Sequence, residues 1–283
     1  MKRKLDLYGD LSNNSTCKKS NEPKDEQKSK PKHTTVTNKT THVSQGPDFI
    51  GIGAARSGTT WISEQLSRHP DVWIPSRKEL HYWTRQRKYK SPSFLEKKNV
   101  ALRYFFSHYS LDLWQRFIRA VGKSLIDMST SSLKWNLSYF LGTPNNEWYA
   151  DLFGEHPEKV TGEVTPAYSL MDDSDIADLV SAFPKIKAIL ILRNPIERAW
   201  STIMYHDKRQ MISIADMSRE HIKEYLGKSQ ILERSDYLSI IERWSSHLDK
   251  EQLLVVYYDE ISNAPDKLYA KLTTFLDLEP EHA

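Results

Sequence analysis

Cysteine is almost absent from this chain of 283 residues, which holds a single one, Cys17. One cysteine cannot form an intrachain disulfide, so a secreted scaffold held together by disulfides is excluded. Long apolar runs are absent as well. No stretch is long and apolar enough to cross a bilayer, and none has the form of a secretory signal. These absences predict no membrane insertion and a reducing, cytoplasmic setting.

Large apolar residues are nearly missing from residues 1–46, which are rich in Lys, Ser, Thr and Asn. Such a segment cannot bury enough surface to offset the entropy lost on ordering, so it is predicted to be a disordered basic tail. The tail has ten Lys and Arg against five Asp and Glu, whereas residues 47–283 have 30 against 32. The net charge of +3 therefore comes from the tail, and the rest of the chain is predicted to have no nucleic-acid partner.

The sequence does contain a Gly-rich turn between a predicted strand and a predicted helix, which reads Gly-Ala-Ala-Arg-Ser-Gly-Thr-Thr at 53–60. Its spacing matches the G-x-x-x-x-G phosphate-binding loop, in which backbone N–H groups and the helix N-terminus bind an anion. Thr59 stands where a nucleoside triphosphatase has the lysine that reaches the γ-phosphate. The turn therefore predicts a ligand with a 5′-phosphate and no γ-phosphate, with Arg56 as the nearby cation. The alternative is a strand–helix turn that binds nothing.

A second motif follows the apolar run Ile-Leu-Ile-Leu at 189–192, which is typical of a buried parallel strand. Arg193 stands at the end of this strand, Pro195 suits the first turn of a helix, and Ser201 falls about two turns along it. A strand-end arginine and a hydroxyl can together hold a second phosphate. The alternative is an arginine paired with a carboxylate and a solvent-exposed serine.

Together the two motifs resemble those of the sulfotransferase superfamily, which uses 3′-phosphoadenosine-5′-phosphosulfate (PAPS). Residues 56–60 resemble the 5′-phosphosulfate loop of that family, and residues 192–201 resemble its 3′-phosphate motif. Lys-Glu-Leu-His-Tyr-Trp at 78–83 and Gly-Glu-Val-Thr-Pro-Ala-Tyr at 162–168 resemble two blocks of the heparan-sulfate and other carbohydrate sulfotransferases. The resemblance implies transfer of a sulfuryl group from PAPS to a hydroxyl or amine acceptor, with a carbohydrate as the expected acceptor.

The resemblance assigns roles on the donor side, where Arg56 would stabilise charge on the leaving phosphate because arginine stays protonated. Trp61 either contacts the nucleotide or packs in the core, and packing is favoured. No metal is expected, since no His, Cys and Asp cluster has metal-ligand spacing. PAPS is the expected donor and 3′-phosphoadenosine 5′-phosphate (PAP) the product. The residues implied to bind them are Arg56, Ser57, Gly58, Thr59, Thr60, Trp61, Arg193 and Ser201.

On the acceptor side the resemblance implies that Glu79 is the base that takes the acceptor proton, with His81 as the rival. From spacing alone, Glu79 would be a surface residue paired with a neighbouring cation. Substrate contacts are assigned to Lys78, Glu163 and Arg85. For Glu163, a role in holding Arg or Lys side chains is preferred. Arg85 belongs to a basic run, 77–90, that lines a cleft for an acidic glycan or forms a solvated face.

The chain departs from the family pattern at Val164, where the carbohydrate branch often has Lys, and at its end. It stops at Ala283, before the basic loop that covers the 3′-phosphate and adenine in relatives, so that closure is expected to be missing or supplied differently. Golgi members of the family carry an N-terminal anchor, so the Golgi lumen is the alternative location if one was removed. Two other functions stay open: a P-loop small-molecule kinase and a catalytically inactive PAP- or glycan-binding module.

Alternating strand and helix patterns in residues 47–283 predict one α/β domain. The expected architecture is P-loop-like, with a central parallel sheet flanked by helices on both faces. Strands are predicted at 49–53, 71–74, 159–164, 186–192 and 253–258. Helices are predicted at 59–68, 99–107, 111–121, 172–183, 195–206, 235–248 and 265–276.

Overall fold

The computed structural model describes residues 46–89, 93–105 and 110–279. In this part of the chain five parallel strands form one sheet in the order β2–β3–β1–β4–β5. The strands are β1 Phe49–Gly53, β2 Val72–Trp73, β3 Val160–Val164, β4 Lys187–Leu192 and β5 Leu253–Tyr257. β1 is buried along its whole length at the centre of the sheet. The predicted parallel sheet is confirmed.

Twelve α-helices accompany the sheet in the described residues. They are α1 Thr59–Leu66, α2 Val100–Phe105, α3 Ser110–Ile126, α4 Thr130–Leu141, α5 Asn146–Asp151, α6 Asp173–Ala182, α7 Pro195–Lys208, α8 Arg219–Leu226, α9 Ser229–Leu232, α10 Tyr237–Ser245, α11 Tyr258–Asn263 and α12 Pro265–Phe275. Pro195 and Pro265 each occupy the first turn of a helix, where the missing N–H costs nothing. Asp172 caps α6 by accepting a hydrogen bond from Asp175 N at 3.1 Å.

The sheet separates two apolar cores, and β1 contributes to both because alternate side chains of a strand face opposite sides. Phe49 packs into one core and Ile50 and Ile52 into the other. The core around Phe49 is completed by α1 and α12, through Ile62, Leu66, Leu268 and Leu272. The core around Ile50 is completed by helices that include α6 and α10, through Ile176, Leu179, Ile240 and Trp244. The prediction of helices on both faces is therefore confirmed.

The second core continues into a group of aromatic rings that joins α4 and α5 to residues 82–83. The Tyr82 ring stacks on the Tyr149 ring with 4.7 Å between centroids, and Trp135 stacks on Tyr139 at 5.3 Å. Offset stacking of this kind adds to the stabilisation that burial alone provides. It fixes the segment after β2 against the helical part of the domain.

The structure differs from the predicted elements mainly where packing, and not local pattern, decides. α4, α5, α8, α9 and α11 were not predicted, although Ser129 and Asn145 cap α4 and α5 as helix-starting residues do. The predicted helix 111–121 extends over Ser110–Ile126, and the predicted strand 71–74 shrinks to Val72–Trp73. The last two residues of the predicted helix 99–107 lie outside the described residues.

The predicted tail, residues 1–46, lies outside the described residues except for Gly46, which is buried. Its carbonyl oxygen is 3.4 Å from Thr161 Oγ1, which donates to it, so this residue adjoins β3. Within the described residues, none of the helices combines the length and apolar character needed to span a membrane.

Candidate active site

The Gly-rich turn leaves β1 at Gly53 and enters α1 at Thr59, in the order strand, turn, helix that a phosphate-binding loop requires. Gly53 and Gly58 have φ values of 141° and 90°, in the range that favours glycine. A Cβ on Gly58 would lie 2.3 Å from Ile261 Cδ1, so the isoleucine side chain would have to move to admit one. Arg56 has φ of 70°, a conformation that costs on the order of 1–3 kcal/mol for a side-chain-bearing residue.

The start of α1 leaves polar groups available. The N–H groups in the first turn of a helix have no acceptor inside the helix. In α1 the N-cap is Gly58, so no capping side chain accepts from them either. The Ser57 side chain is fully buried, yet its Oγ makes no hydrogen bond to any described residue. Thr59 is buried and Thr60 is exposed, while Trp61 packs against the core around Phe49. Buried polar atoms are normally hydrogen-bonded, so the free Ser57 hydroxyl points to a ligand at this loop.

The second predicted motif meets the first in space. Arg193 follows β4, and its Nη1 donates a hydrogen bond to the Arg56 carbonyl oxygen at 3.0 Å. Arg56 Nε donates to Ser201 Oγ in α7 at 3.3 Å. Aromatic rings support both guanidinium groups: Tyr258 lies 4.2 Å from the Arg193 guanidinium carbon, and Tyr205 lies 4.6 Å from that of Arg56. The structure therefore brings together Arg56, Arg193 and Ser201, although Arg56 and Ser201 are 145 residues apart in the sequence.

These residues fit a ligand with two phosphate groups. Ser57 Oγ has no hydrogen-bond partner among the described residues and can bond to a ligand without breaking an existing bond, whereas Arg193 Nε lies 3.5 Å from a carboxylate oxygen of Glu197. The described contacts of the Arg56 side chain are with Ser201 Oγ and the Tyr205 ring, and neither of these carries a negative charge. Two guanidinium groups, a free hydroxyl and an uncapped helix start are the chemistry that phosphate oxygens need.

A cavity of about 180 Å³ lies beside the segment after β2. It is lined by Arg77, Glu79, His81, Ser93, Phe94, Asp112, Leu113, Arg116 and Tyr139. The cavity thus contains both predicted bases, Glu79 and His81. It also holds two arginines, of which Arg116 is paired with Asp112 at 2.6 Å. An acceptor hydroxyl bound here would have a carboxylate and an imidazole as its proton-accepting neighbours.

Glu79 is held in its ionised form by two neighbours. Lys78 Nζ lies 3.2 Å from one carboxylate oxygen, and His81 Nε2 lies 3.4 Å from the other. Burial raises the pKa of Glu79, but the hydrogen bond with His81 and the charge of Lys78 together lower it by more. The pKa therefore lies below its usual 4.5. Glu79 is therefore ionised at neutral pH and able to accept a proton.

In the described part of the chain, no group of three or more His, Cys, Asp or Glu side chains is placed to hold a metal ion. The chemistry available to the described side chains is charge stabilisation by Arg56 and Arg193 and proton acceptance by Glu79 or His81.

Comparison with known proteins identifies the family. The family model described as "Sulfotransferase family" matches residues 47–282. This chain belongs to the sulfotransferase family. The prediction drawn from the two phosphate motifs and the carbohydrate-branch segments is confirmed at the level of the family.

The matching relatives of this sulfotransferase include carbohydrate enzymes. Carbohydrate sulfotransferase 15 of Homo sapiens is 23% identical over 274 residues, which are 83% of this chain and 44% of that protein. Bifunctional heparan sulfate N-deacetylase/N-sulfotransferase 1 of Caenorhabditis briggsae is 20% identical over 82% of this chain and 23% of that protein. The chain thus spans less than half the length of these curated relatives.

A likeness to solved structures supports the fold. A sulfotransferase from Alicyclobacillus acidocaldarius gives a TM-score of 0.54 at 19% identity, covering 84% of this chain and 83% of that one. The sulfotransferase domain of the curacin biosynthetic pathway gives 0.53 at 17% identity, covering 84% and 78%. At these identities the likeness establishes the sulfotransferase fold, and the predicted P-loop-like fold is confirmed.

Two of the three predicted substrate residues of this sulfotransferase lie away from the cavity. Arg85 folds back on its own segment, with Nη1 donating to the Tyr82 carbonyl oxygen at 2.7 Å and its guanidinium 4.1 Å from the Tyr82 ring. Glu163 is completely buried in β3. The third, Lys78, is half-buried and reaches the cavity only through its ion pair with Glu79.

The partners of Glu163 correct the preferred prediction that it holds Arg or Lys side chains. Its carboxylate accepts hydrogen bonds from the hydroxyls of Tyr149, Tyr168 and Thr165 and from Leu80 N. Complete burial raises the pKa of Glu163, and these donors oppose that rise. Among the described residues, the carboxylate therefore holds hydroxyl groups and a backbone amide, and no Arg or Lys side chain bonds to it.

The basic run at 77–90 is divided by the fold. Arg77 faces the cavity, Arg87 Nε bonds to Glu96 at 2.5 Å, and Lys88 Nζ contacts Asp172 at 2.6 Å. Lys90 lies outside the described residues. Of the described cations of the run, Arg77 lies in the cavity wall, while Arg87 and Lys88 are exposed and paired with carboxylates.

Several residues at the site were not singled out by the sequence. Tyr205 and Tyr258 lie under the two guanidinium groups, and Phe94 and Tyr139 line the cavity. They come from helices far apart in the chain, so no local spacing marks them. The one available signal was that Tyr258 follows β5, at the edge of the sheet where Arg193 also follows its strand.

Proposed function

We propose that this chain transfers a sulfuryl group from PAPS to a hydroxyl or amine of a carbohydrate acceptor, and releases PAP. The observation that carries this proposal is the contact of Arg56 with Arg193 and Ser201, which brings the predicted phosphate-binding loop beside the residues predicted to hold the 3′-phosphate. The absence of the γ-phosphate lysine, with Thr59 in its place, favours a donor without a γ-phosphate.

On the donor side, Ser57, Thr59, Thr60 and the uncapped start of α1 would hold the 5′-phosphate. Arg193 and Ser201 would hold the 3′-phosphate. The donor supplies the activated sulfuryl group. As the bond between sulfur and the bridging oxygen breaks, Arg56 would stabilise the negative charge that develops on the phosphate. Arg56 acts as a charge and not as an acid, because arginine stays protonated.

On the acceptor side, Glu79 would accept the proton of the attacking hydroxyl or amine while the new bond to sulfur forms. Its ion pair with Lys78 and its contact with His81 Nε2 lower its pKa, so it is ionised at neutral pH. His81 is the rival base, since it lines the same cavity. Positioning and electrostatics would supply most of the rate enhancement, as expected for transfer of a highly charged group.

The cavity favours an acceptor that carries an acidic substituent. The Arg77 guanidinium lies 5.2 Å from the Tyr139 ring and 5.3 Å from the Phe140 ring, and no carboxylate of the described residues pairs with it. A guanidinium without a counter-ion in a cavity wall is well suited to a carboxylate or sulfate group. Relatives named for carbohydrate and heparan sulfate support an acidic glycan.

The direct test is transfer of labelled sulfate from PAPS to a panel of acceptors. The panel holds N-desulfated heparan sulfate, a neutral oligosaccharide, tyrosyl peptides and small alcohols. We expect label in the acidic glycan, and Arg77→Gln should raise its KM while leaving the neutral acceptor unchanged. Arg87→Gln is the matched control, because Arg87 pairs with Glu96 outside the cavity. PAP binding without transfer to any acceptor would favour the inactive binding module, and magnesium-dependent ATP turnover would favour the kinase.

The cytoplasmic setting and the disordered tail at 1–46 stay predictions. A relative from Dictyostelium discoideum, 27% identical over 56% of this chain and 22% of that protein, is named a membrane-associated sulfotransferase. Localisation of the tagged protein in cells, with and without residues 1–46, would decide the setting.

A further inference from the structure

We propose that Glu163 and Tyr168 are positioning residues that fix Glu79 and His81 in the acceptor cavity. This inference rests on the proposed function, because it assigns to a buried network the task of placing the candidate bases. Neither Glu163 nor Tyr168 lines the cavity, so both would act through the backbone of residues 78–82.

Alternate residues of this segment face different ways. Arg77, Glu79 and His81 line the cavity. The backbones of the other residues of the segment are bonded to the interior: the Lys78 carbonyl accepts from Val164 N at 2.8 Å, and Leu80 and Tyr82 donate their N–H groups to the buried network. The cavity side chains are thus presented by a backbone that is held from behind.

Glu163 is the centre of the buried network. Its Oε2 accepts from Leu80 N at 2.9 Å and from Thr165 Oγ1 at 2.5 Å. The Leu80 N–H is shared, because Thr165 Oγ1 also accepts from it at 3.0 Å. Its Oε1 accepts from Tyr149 OH at 2.5 Å and from Tyr168 OH at 2.7 Å. The position of Leu80 is therefore determined by a carboxylate whose own position is fixed by three hydroxyl donors.

Tyr168 connects the buried network to the backbone of Tyr82. Its hydroxyl donates to Glu163 and accepts from Tyr82 N at 3.1 Å. Leu80 and Tyr82 are the two neighbours of His81, which has φ of 55°, a conformation that non-glycine residues adopt only when their surroundings impose it. The two anchors on either side of His81 are the contacts that impose it.

Glu79 depends on the same anchors. Both of the side chains that contact its carboxylate, Lys78 and His81, belong to the segment itself. These three side chains can keep their mutual distances only while the backbone between 78 and 82 keeps its shape. The buried network therefore determines where the Glu79 carboxylate stands and which groups surround it.

The test compares Tyr168→Phe with Tyr149→Phe. Each substitution removes one hydroxyl donor from Glu163 Oε1, and phenylalanine keeps the ring in place. Only Tyr168→Phe also removes the acceptor of Tyr82 N. Tyr149 OH contacts Glu163 and has no bond to the 78–82 backbone, so Tyr149→Phe controls for the loss of stability that both variants share.

The first readout is the titration of Glu79, followed by the ¹³C shift of its labelled carboxyl and assigned by its loss in Glu79→Gln. In the native protein it should titrate below 4.5. In Tyr168→Phe it should move up, because His81 and Lys78 no longer hold the carboxylate, while in Tyr149→Phe it should stay. The other charged groups around it are Arg77, and Asp112 and Arg116 of α3, which neither variant touches.

The second readout is sulfate transfer from PAPS to N-desulfated heparan sulfate. Tyr168→Phe should lower kcat by roughly 10- to 100-fold, since a misplacement of about 1 Å can cost that much, and leave PAP binding unchanged. If Tyr168→Phe does not fold, Thr165→Val gives the same test at Leu80. The proposal is overturned if the two tyrosine variants show the same Glu79 titration. The titration does not depend on transfer, so a failure of the proposed function would be seen separately.

Discussion

The proposed donor side is built from two short segments that follow the neighbouring strands β1 and β4, whereas the proposed acceptor side depends on how two helices pack against the segment after β2. On the donor side, Arg56 and Arg193 each stand just after a strand and meet at 3.0 Å. On the acceptor side, the cavity takes residues from the segment after β2, from α3 and from α4. The donor geometry is thus fixed by backbone turns at one sheet edge, and the acceptor geometry by side-chain packing.

The largest effect is expected from Glu79→Gln, which keeps the shape of the side chain but cannot accept a proton. Sulfate transfer should fall by about 10²–10⁴, the usual cost of losing a general base. Steady-state transfer rates of Glu79→Gln and His81→Ala decide between the two bases. An active Glu79→Gln beside an inactive His81→Ala would assign the base to His81.

The next effect is expected from Arg56→Ala on the donor side. Removing one donor that acts in the transition state typically costs about 10²–10³ in kcat, and Arg56→Lys should restore part of it because the charge returns. Arg209→Ala is the matched control, since its guanidinium lies 5.3 Å from the same Tyr205 ring without touching the loop. Unchanged turnover in Arg56→Ala would remove the loop from the mechanism.

A smaller effect separates the two phosphate positions within the donor side. PAP should raise the thermal midpoint clearly more than AMP, which lacks the 3′-phosphate that Arg193 and Ser201 would bind. At a hundredfold excess over Kd, a ligand stabilises the native state by about 2.7 kcal/mol. Equal shifts with PAP and AMP, measured by scanning calorimetry, would contradict the role given to these two residues.

The smallest effect concerns the far end of the segment that carries the acceptor residues. Burial raises the pKa of Asp172, but its bonds with Lys88, Asp175 N and Ser174 lower it from 3.8 to about 2. The stabilisation is therefore complete above pH 3.8 and is lost as the pH falls towards 2. Because Asp172 is half-exposed, it amounts to at most about 1 kcal/mol.

Urea unfolding of the native protein and of Lys88→Met checks this. The difference in unfolding free energy should be larger at about pH 5 than at about pH 3. Lys134→Met is the control, because Lys134 forms a separate ion pair with Glu155. A difference that does not change with pH would contradict the assignment.

The donor side could be predicted from the sequence because its chemistry lies in contiguous residues. A buried strand, a Gly-rich turn and a helix start are local features, and parallel strands bring their carboxyl ends to one edge. The sequence could not show that Phe94, Arg116 and Tyr139 would line one cavity with Glu79, because only the packing of α3 and α4 brings them there. The role of Glu163 was missed for the same reason: its partners Tyr149 and Tyr168 are chosen by the tertiary structure.

The most direct test of the central claim, that donor and acceptor sides are separate parts of one sulfotransferase site, is a calorimetric titration of PAP. It is carried out on the native chain, Glu79→Gln and Arg193→Ala. We expect the native chain and Glu79→Gln to bind with the same Kd. Arg193→Ala should bind about 10- to 100-fold more weakly, as expected for loss of a hydrogen bond to a charged group. Equal affinity in all three proteins, or no PAP binding by the native chain, would contradict the account.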